Sequence, residues 1–297
     1  MSIPDILCIG SVLWDIIGRA QTAMRRGADV PGRIMRQPGG VALNIAMTLR
    51  RFGLRPAILS CVGQDDEGEE LVAACRRMGL ITDTLYRSAD LPTDRYMAIE
   101  GASGLVAAVA DAHSLEAAGK HILTPLGDGR LGSPDTPWTG LIALDGNLTA
   151  ALLSEIAASP LFAGADLRVA PASPGKAERL LPLIRHPRAT LYVNLQEAGL
   201  LCQTRFASAS DAAQGLLARG ALRVLVTDGA RACADGMAGQ DIVTDAPPPV
   251  PVARVTGAGD TFMAAHLVAE MRGSGRAAAL GAALRAAADH ISRDTGS

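Results

Sequence analysis

The sequence predicts an α/β protein with a doubly wound, mostly parallel sheet, helices on both faces, and a small accessory β-sheet. Three observations carry that expectation. Short apolar segments alternate with helical ones through the second half of the chain: Leu141–Leu144 then Thr149–Ala158, Leu167–Val169 then Pro174–Ile184, Thr190–Val193 then Leu195–Cys202, Asp211–Arg219 then Arg223–Val226. This is the βαβ rhythm of a parallel sheet covered on both sides. The apolar content, 48% of 297 residues with only 3% aromatics, is dominated by the aliphatic side chains that pack helices on a buried sheet. Finally, Thr93–Glu100 and Leu105–Ala110 are rich in β-formers and flank Gly101-Ala102-Ser103-Gly104, a hairpin signal. With the polar excursion Arg19–Arg36 they build a small strand platform. No composition break divides the chain, so residues 1–297 are read as one domain with inserted segments at about 15–36 and 93–110.

The remaining elements follow from local pattern. Ile6–Ile9 is a buried strand ending at Gly10, with Asp15 soon after it, near the strand edge where open α/β sheets place ligands. Gly40–Phe52 is a helix, with Val41, Ile45, Thr48, Leu49 and Phe52 on one face and Gly53 stopping it. Asn44 lies in its first turns, and Asn is a poor helix residue unless a polar contact awaits it. Ala57–Val62 is the next strand and Glu67–Met78 the next helix, whose acidic start Asp65–Glu70 suits a helix terminus better than a metal. Met263–Met271 and Ala278–Ile291 are helical.

Composition excludes several classes. A net charge of −2 gives no basic excess for nucleic acid, and few rings are available to stack bases. Cys8, Cys61, Cys75, Cys202 and Cys233 are scattered, without a Cys-x-x-Cys pair, which predicts a reduced, cytoplasmic chain without zinc. Met1–Ile9 has no basic start and carries Asp5, so it does not read as a signal peptide. No uncharged run approaches the ~20 residues of a membrane helix. Gly127-Asp128-Gly129-Arg130-Leu131-Gly132 matches G-x-G-x-x-G, but no strand leads in, and Ser133-Pro134 follows where a helix should open. A Walker A loop is absent from the sequence.

The stretch with most chemistry is Thr256–Phe262, Thr-Gly-Ala-Gly-Asp-Thr-Phe, running into a helix. Gly257, Ala258 and Gly259 carry almost no side chain, so backbone N–H groups at a helix start can meet an anion. Asp260 places a carboxylate beside that cradle. The pair suits a base that takes a hydroxyl proton while amides stabilise an incoming phosphoryl group. An ordinary Gly-rich helix cap fits the same residues.

Thr256–Phe262 resembles the signature loop of the PfkB/ribokinase family of carbohydrate kinases. Gly39-Gly40-Val41-Ala42-Leu43-Asn44 resembles that family's first signature, in the right order and separation, and the resemblance covers nearly the whole chain. It implies a ribokinase-like fold, ATP and Mg2+, and an inserted sheet that acts as a lid and often as a homodimer clasp. It implies Asp260 as base with the amides of Gly257, Ala258 and Gly259 as anion hole. Asp15, Gly39, Gly40 and Asn44 would hold the sugar, and Thr93 and Arg95 would be the lid residues near substrate. Asn194-Leu195-Gln196-Glu197 looks like the family's Asn-x-x-Glu motif, with Glu197 holding Mg2+ through water; an N-cap with its capping-box partner fits equally. Val224–Gly229 is similar to the segment lining the ATP site, which places Thr227 and Gly229 there with Thr256. Many members carry an Asp for a monovalent cation where this chain has Arg254, which leaves a potassium requirement open.

Two stretches, Asp145-Gly146-Asn147-Leu148 and Pro171-Ala172-Ser173-Pro174-Gly175-Lys176, look like those of bacterial pseudouridine kinases. They imply Asn147 at the substrate, Lys176 at the nucleotide, and a nucleoside 5′-hydroxyl as acceptor. Trp14, Tyr96 and Phe162 are the rings available to a base. A ribokinase- or fructokinase-type activity, and a non-catalytic sugar or nucleoside sensor on the same fold, remain alternatives.

Overall fold

The computed structural model describes residues 3–25, 27, 29–102, 104–251 and 256–292. In chain order the elements are β1 (Ile6–Ile9), β2 (Leu13–Arg19), β3 (Arg33–Gly39), α1 (Val41–Arg51), β4 (Pro56–Leu59), β5 (Cys61–Gly63), α2 (Asp66–Arg77), β6 (Tyr86–Ser88), β7 (Arg95–Gly101), β8 (Gly104–Asp111) and α3 (His113–Ala118). A 3-10 segment, Gly119–Leu126, leads to β9 (Leu141–Asp145), α4 (Ala150–Ala158) and β10 (Asp166–Ala170). A second, Pro174–Leu183, precedes β11 (Ala189–Asn194), α5 (Leu195–Cys202), α6 (Ala209–Ala218) and β12 (Arg223–Thr227). The chain closes with β13 (Cys233–Met237), β14 (Val243–Asp245), α7 (Ala258–Met271) and α8 (Arg276–Ser292).

The main sheet runs β14-β13-β12-β11-β10-β9-β1-β4. Every pairing from β12 to β4 is parallel, and β13 and β14 add an antiparallel edge. Because side chains alternate along a strand, the four apolar residues of β1 serve two cores. Leu7 and Ile9 pack with α3, α4, α5 and α6, whereas Ile6 and Cys8 pack with α1, α2, α7 and α8. The expected parallel sheet covered on both faces is therefore present. The segment 127–132 is a surface loop, consistent with its rejection as a dinucleotide fingerprint. Among the described residues no helix is long and apolar enough to cross a membrane. The five cysteines are free, and all but the half-buried Cys202 are buried.

The second sheet has the order β3-β2-β7-β8. Its register assigns each side chain to a face. Asp15 pairs with Tyr96, which pairs with Ala110, so these three share one face. Ile16, Met97 and Val109 share the other, as do Gly18, Ile34 and Ile99. The first face turns toward the ends of the main-sheet strands. On the second, Ile34, Met97, Ile99 and Val109 are exposed to solvent.

A buried ionic cluster ties α7 to the main sheet. Glu270 accepts from Arg168 of β10 at 2.5 Å and from Arg223 of β12. Arg223 is also bidentate to the fully buried Asp235 of β13, at 3.1 and 2.7 Å, and Arg276 at the start of α8 reaches the same carboxylate. Burial pulls Glu270 toward neutrality, but its partners, Arg168 first among them with Arg223, together outweigh it and hold the carboxyl below its ordinary range. His266, one turn earlier on α7, meets the Tyr192 hydroxyl at 2.9 Å, and burial pushes it down to about 4, so the ring is neutral.

Candidate active site

Five parallel strands end on one side of the main sheet, and the loops after them carry polar residues: Ser11 after β1, Asn147 after β9, Lys176 after β10, Asn194 at the end of β11 and Thr227 at the end of β12. This carboxyl edge is where α/β sheets open a crevice. The cavity there, about 460 Å³, is closed from the opposite side by Leu13, Asp15, Tyr96, Ala110 and Ala112 of the small sheet and its exit. Asp15, Gly40, Asn44, Asn147, Lys176, Asn194, Glu197, Thr227, Thr256, Gly257, Gly259 and Asp260 all line it.

Asp260 sits in the first turn of α7, behind Gly257, whose φ of 80° is the left-handed conformation that glycine adopts without strain. By helix geometry the amides that follow Gly257 have no intrahelical acceptor and face outward with the positive end of the dipole. Asn44, one turn into α1, donates its Nδ2 to Asp260 Oδ2 at 2.9 Å. That is the polar contact its helical position requires, and it joins the two signatures. Burial pushes Asp260 up to about 7, with Asp145 and Asp15 adding to the shift and Asn44 opposing it. Burial also raises Asp15 to about 6. A carboxylate poised near neutrality, beside outward amides, is the equipment of a general base facing an anion.

Gly40 links the first signature to this floor. Its φ is 99°, and a Cβ there would lie 2.5 Å from the Ser11 carbonyl, so α1 can start this close to the strand end only with glycine. Asp145, fully buried at the end of β9, fixes the same junction. It accepts from Ser11 N at 2.8 Å, Ser11 Oγ at 2.5 Å and Ala42 N at 3.3 Å. Asn147 donates to it as well, and the Asn147 Oδ1 accepts from Lys176 Nζ at 2.5 Å.

Asn194 caps α5 and forms a complete capping box with Glu197, at 2.8 and 2.9 Å. Burial raises Glu197 against the bonds from Asn194. The capping box uses one carboxylate oxygen of Glu197 and leaves the other for a cation. Among the described residues no three His, Cys, Asp or Glu cluster as a metal nest. The one free carboxylate oxygen of Glu197 is a donor of the kind taken by an ion such as Mg2+, which keeps several waters and takes one or two protein carboxylates plus phosphate oxygens.

Gly39, Thr93, Ala258 and Gly229 are not among the residues lining the cavity, although Ala258 begins α7 at its edge. Thr93 is buried because its amide and hydroxyl both donate to Asp65, at 2.8 and 2.5 Å, hitching β7 to the start of α2. Arg95 pairs with Glu67 at 2.9 Å. Gly39 acts at one remove, since a Cβ there would meet the Asp15 carboxylate at 2.0 Å. Trp14 donates its Nε1 to the Glu67 carbonyl and lies under the Arg36 guanidinium, while Phe162 is buried in the core. Of the three rings expected near a base, only Tyr96 reaches the cavity; Tyr192 and Phe262 were not anticipated there. Arg254 lies outside the described residues.

Comparison with known proteins agrees with this geometry. The chain is 33% identical over 147 residues to the uncharacterized sugar kinase YeiI of Escherichia coli, covering 49% of this chain and 39% of that protein. It is 30% identical over 94 residues to the Escherichia coli pseudouridine kinase, covering 32% of this chain and 30% of that one. The matched stretches thus span less than half the length of these curated relatives. Among solved structures, a carbohydrate kinase from Agrobacterium tumefaciens superposes with a TM-score of 0.79 at 27% identity, over 99% of this chain and 92% of its own. The family model described as pfkB family carbohydrate kinase matches residues 4–295. With both signatures meeting at the Asn44–Asp260 bond and that model spanning nearly its full length, the chain belongs to the pfkB family of carbohydrate kinases.

Proposed function

We propose that this protein transfers the γ-phosphoryl group of ATP to a sugar hydroxyl, with the 5′-hydroxyl of a nucleoside such as pseudouridine as the favoured acceptor. The observation that carries the reading is Asp260 at the first turn of α7, bonded by Asn44 and open to a cavity walled by both sheets. Asp260 takes the proton as the hydroxyl oxygen attacks, and Asn44 keeps its carboxylate aimed. The amides following Gly257 stabilise charge on the phosphoryl oxygens. Asp15 accepts from a neighbouring sugar hydroxyl, and Gly40 lets the sugar ring approach the backbone. Asn194 and Glu197 would hold Mg2+, which neutralises phosphate charge when bound. The small sheet excludes water that would otherwise intercept the phosphoryl group.

The partial similarity to a pseudouridine kinase and the Tyr96 ring over the acceptor side support the nucleoside reading. A site built for a nucleobase leaves polar groups unpaired when given bare sugar, so discrimination should appear in kcat/KM. Acceptor-stimulated ADP release is measured with pseudouridine, uridine, ribose and fructose at equal Mg-ATP. Pseudouridine should lead by about tenfold or more. If ribose or fructose leads instead, the nucleoside reading falls. If every acceptor binds and none stimulates ADP release, the protein is a sensor.

The reading extends to a homodimer clasped through the small sheet. The exposed side chains Ile34, Met97, Ile99 and Val109 share the face opposite the cavity and form an apolar patch between edge strands. Sedimentation should show a dimer that Val109→Glu converts to a monomer. A wild-type monomer at micromolar concentration would remove the clasp.

A further inference from the structure

We infer that Asn147 positions Lys176, through a relay Asp145–Asn147–Lys176, and is not itself a sugar ligand. The inference rests on the phosphotransfer reading for its purpose, although its geometry stands apart from it. A side-chain amide offers two N–H donors and one carbonyl acceptor, and in Asn147 all are engaged. Nδ2 donates to Asp145 Oδ1 at 2.9 Å and to Ser11 Oγ at 2.9 Å, while Oδ1 accepts from Lys176 Nζ at 2.5 Å. The orientation of the amide is determined by its neighbours: turned over, it would set its carbonyl against a carboxylate and its N–H groups against an ammonium. Both N–H donors are taken up by Ser11 and Asp145 and the carbonyl oxygen already faces the ammonium, so the amide is spent on holding Lys176 rather than on donating to an acceptor hydroxyl.

Asp145 supplies the reason for the relay. Its carboxylate is fully buried and accepts from Ser11, Ala42 and Asn147, all neutral donors. A buried charge without a cation is costly. The positive group nearest along its hydrogen bonds is Lys176, one amide away. The polarised amide carries the attraction of Asp145 to the ammonium in a site of low dielectric. Lys176 also lines the cavity. It has three N–H donors and, among the described residues, one hydrogen-bond partner, Asn147, so its other donors can meet an anion there. The acceptor side of the cavity already carries Asp15 and Asp260, whereas the transferring phosphoryl group is the ligand that gains from a cation lining the same cavity as the start of α7. The geometry thus makes Lys176 a catalytic residue touching the phosphoryl oxygens and Asn147 its positioning residue.

Two readouts test this. The first is the rate at which an acylating reagent modifies the Lys176 amine, followed by mass spectrometry, in wild type and Asn147→Ala with matched circular dichroism. Release from Oδ1 should raise labelling several-fold. The second is steady-state kinetics. Lys176→Ala and Asn147→Ala should each lower kcat by up to about 10²-fold, the scale of losing one preorganised donor, with acceptor KM unchanged. The double variant should be no slower than the slower single one, because both remove the same interaction. Unchanged labelling in Asn147→Ala overturns the relay. Additive losses, with acceptor KM raised by Asn147→Ala alone, overturn it too and make Asn147 a sugar ligand. If wild type turns over none of the acceptors, the phosphotransfer reading fails, while the labelling comparison still decides whether Asn147 holds Lys176.

Discussion

Asp260→Asn should lower kcat by about 10²–10⁴-fold, the usual worth of a general base, in a protein that remains folded. Asn keeps the size of the side chain and can still meet Asn44, but it cannot accept the hydroxyl proton. Stability separates loss of chemistry from loss of fold. Burial raises Asp260 to about 7 in the native state, against about 3.9 in an unfolded chain. Between those values the native state binds more protons than the unfolded state, so this group's contribution to stability falls as pH rises, then levels off above pH 7. At pH 8 the ionised Asp260 is a burden, and Asp260→Asn should melt no lower than wild type. The same titration shapes activity. Because the base must be ionised, kcat/KM should climb with pH along an acid limb centred near 7, with Asp15, at about 6, steepening its foot. A variant keeping more than about a tenth of wild-type turnover would remove Asp260 from the role. So would a wild-type profile flat from pH 5.5 to 8.

Glu270→Ala should be among the most destabilising single substitutions in the molecule, at about 3 kcal/mol, the lower end for breaking a buried ion pair. Glu270 stands between Arg168 and Arg223, and its removal leaves two guanidinium groups facing each other across a gap. Asp166 and Asp235 each still pair with one of them, which keeps the cost from going higher. Urea unfolding with an unchanged m-value gives the number. Glu270→Gln, which preserves packing and hydrogen bonds, should lose less. Glu270 lies ten residues along α7 from Asp260, about 15 Å at the rise of an α-helix, so turnover at low temperature should survive. A loss below about 1 kcal/mol, the value of an exposed pair, would mean that the cluster is solvated.

Sequence patterning revealed the elements whose side chains answer mainly to the core. Leu195–Cys202 forms the predicted helix, and most strands of the parallel sheet lie within a residue or two of their apolar runs; the predicted strand Ala57–Val62 is instead two, β4 in the main sheet and β5, which turns away after Ser60 to pair with β6. It missed elements whose polarity is settled by partners distant in the chain. β13 reads Cys-Ala-Asp-Gly-Met, and its buried Asp235 makes sense only beside Arg223 and Arg276. β3 carries Arg33, Arg36, Gln37 and Pro38, which suits an edge strand with one wet face but hides it from a periodicity argument. At the site, Asp260 and Asn44 could be read because they sit in signatures. Ser11 was not singled out, and Asp145 was read only as the start of its stretch without a role, because a small polar residue after a strand and an aspartate before a turn look alike whether they face water or each other. Thr93 shows the converse: a polar residue beside the hairpin looks available until Asp65 is seen to occupy it.

The cavity draws its walls from two sheets, and the division is chemical as well as spatial. The β10, β11 and β12 ends together with α5 and α7 supply Lys176, Asn194, Glu197, Thr227 and Asp260, the groups suited to nucleotide, metal and proton. The small sheet supplies Asp15, Tyr96 and Ala110, with Ala112 just beyond it. On the proposed reading, much of acceptor preference would rest on the small sheet and phosphoryl chemistry on the main-sheet strand ends and α7. Enlarging Ala110 or Ala112, or exchanging Tyr96, reshapes the room offered to an acceptor without disturbing a parallel strand, so a lineage built on this scaffold can change its diet while its motor stays the same.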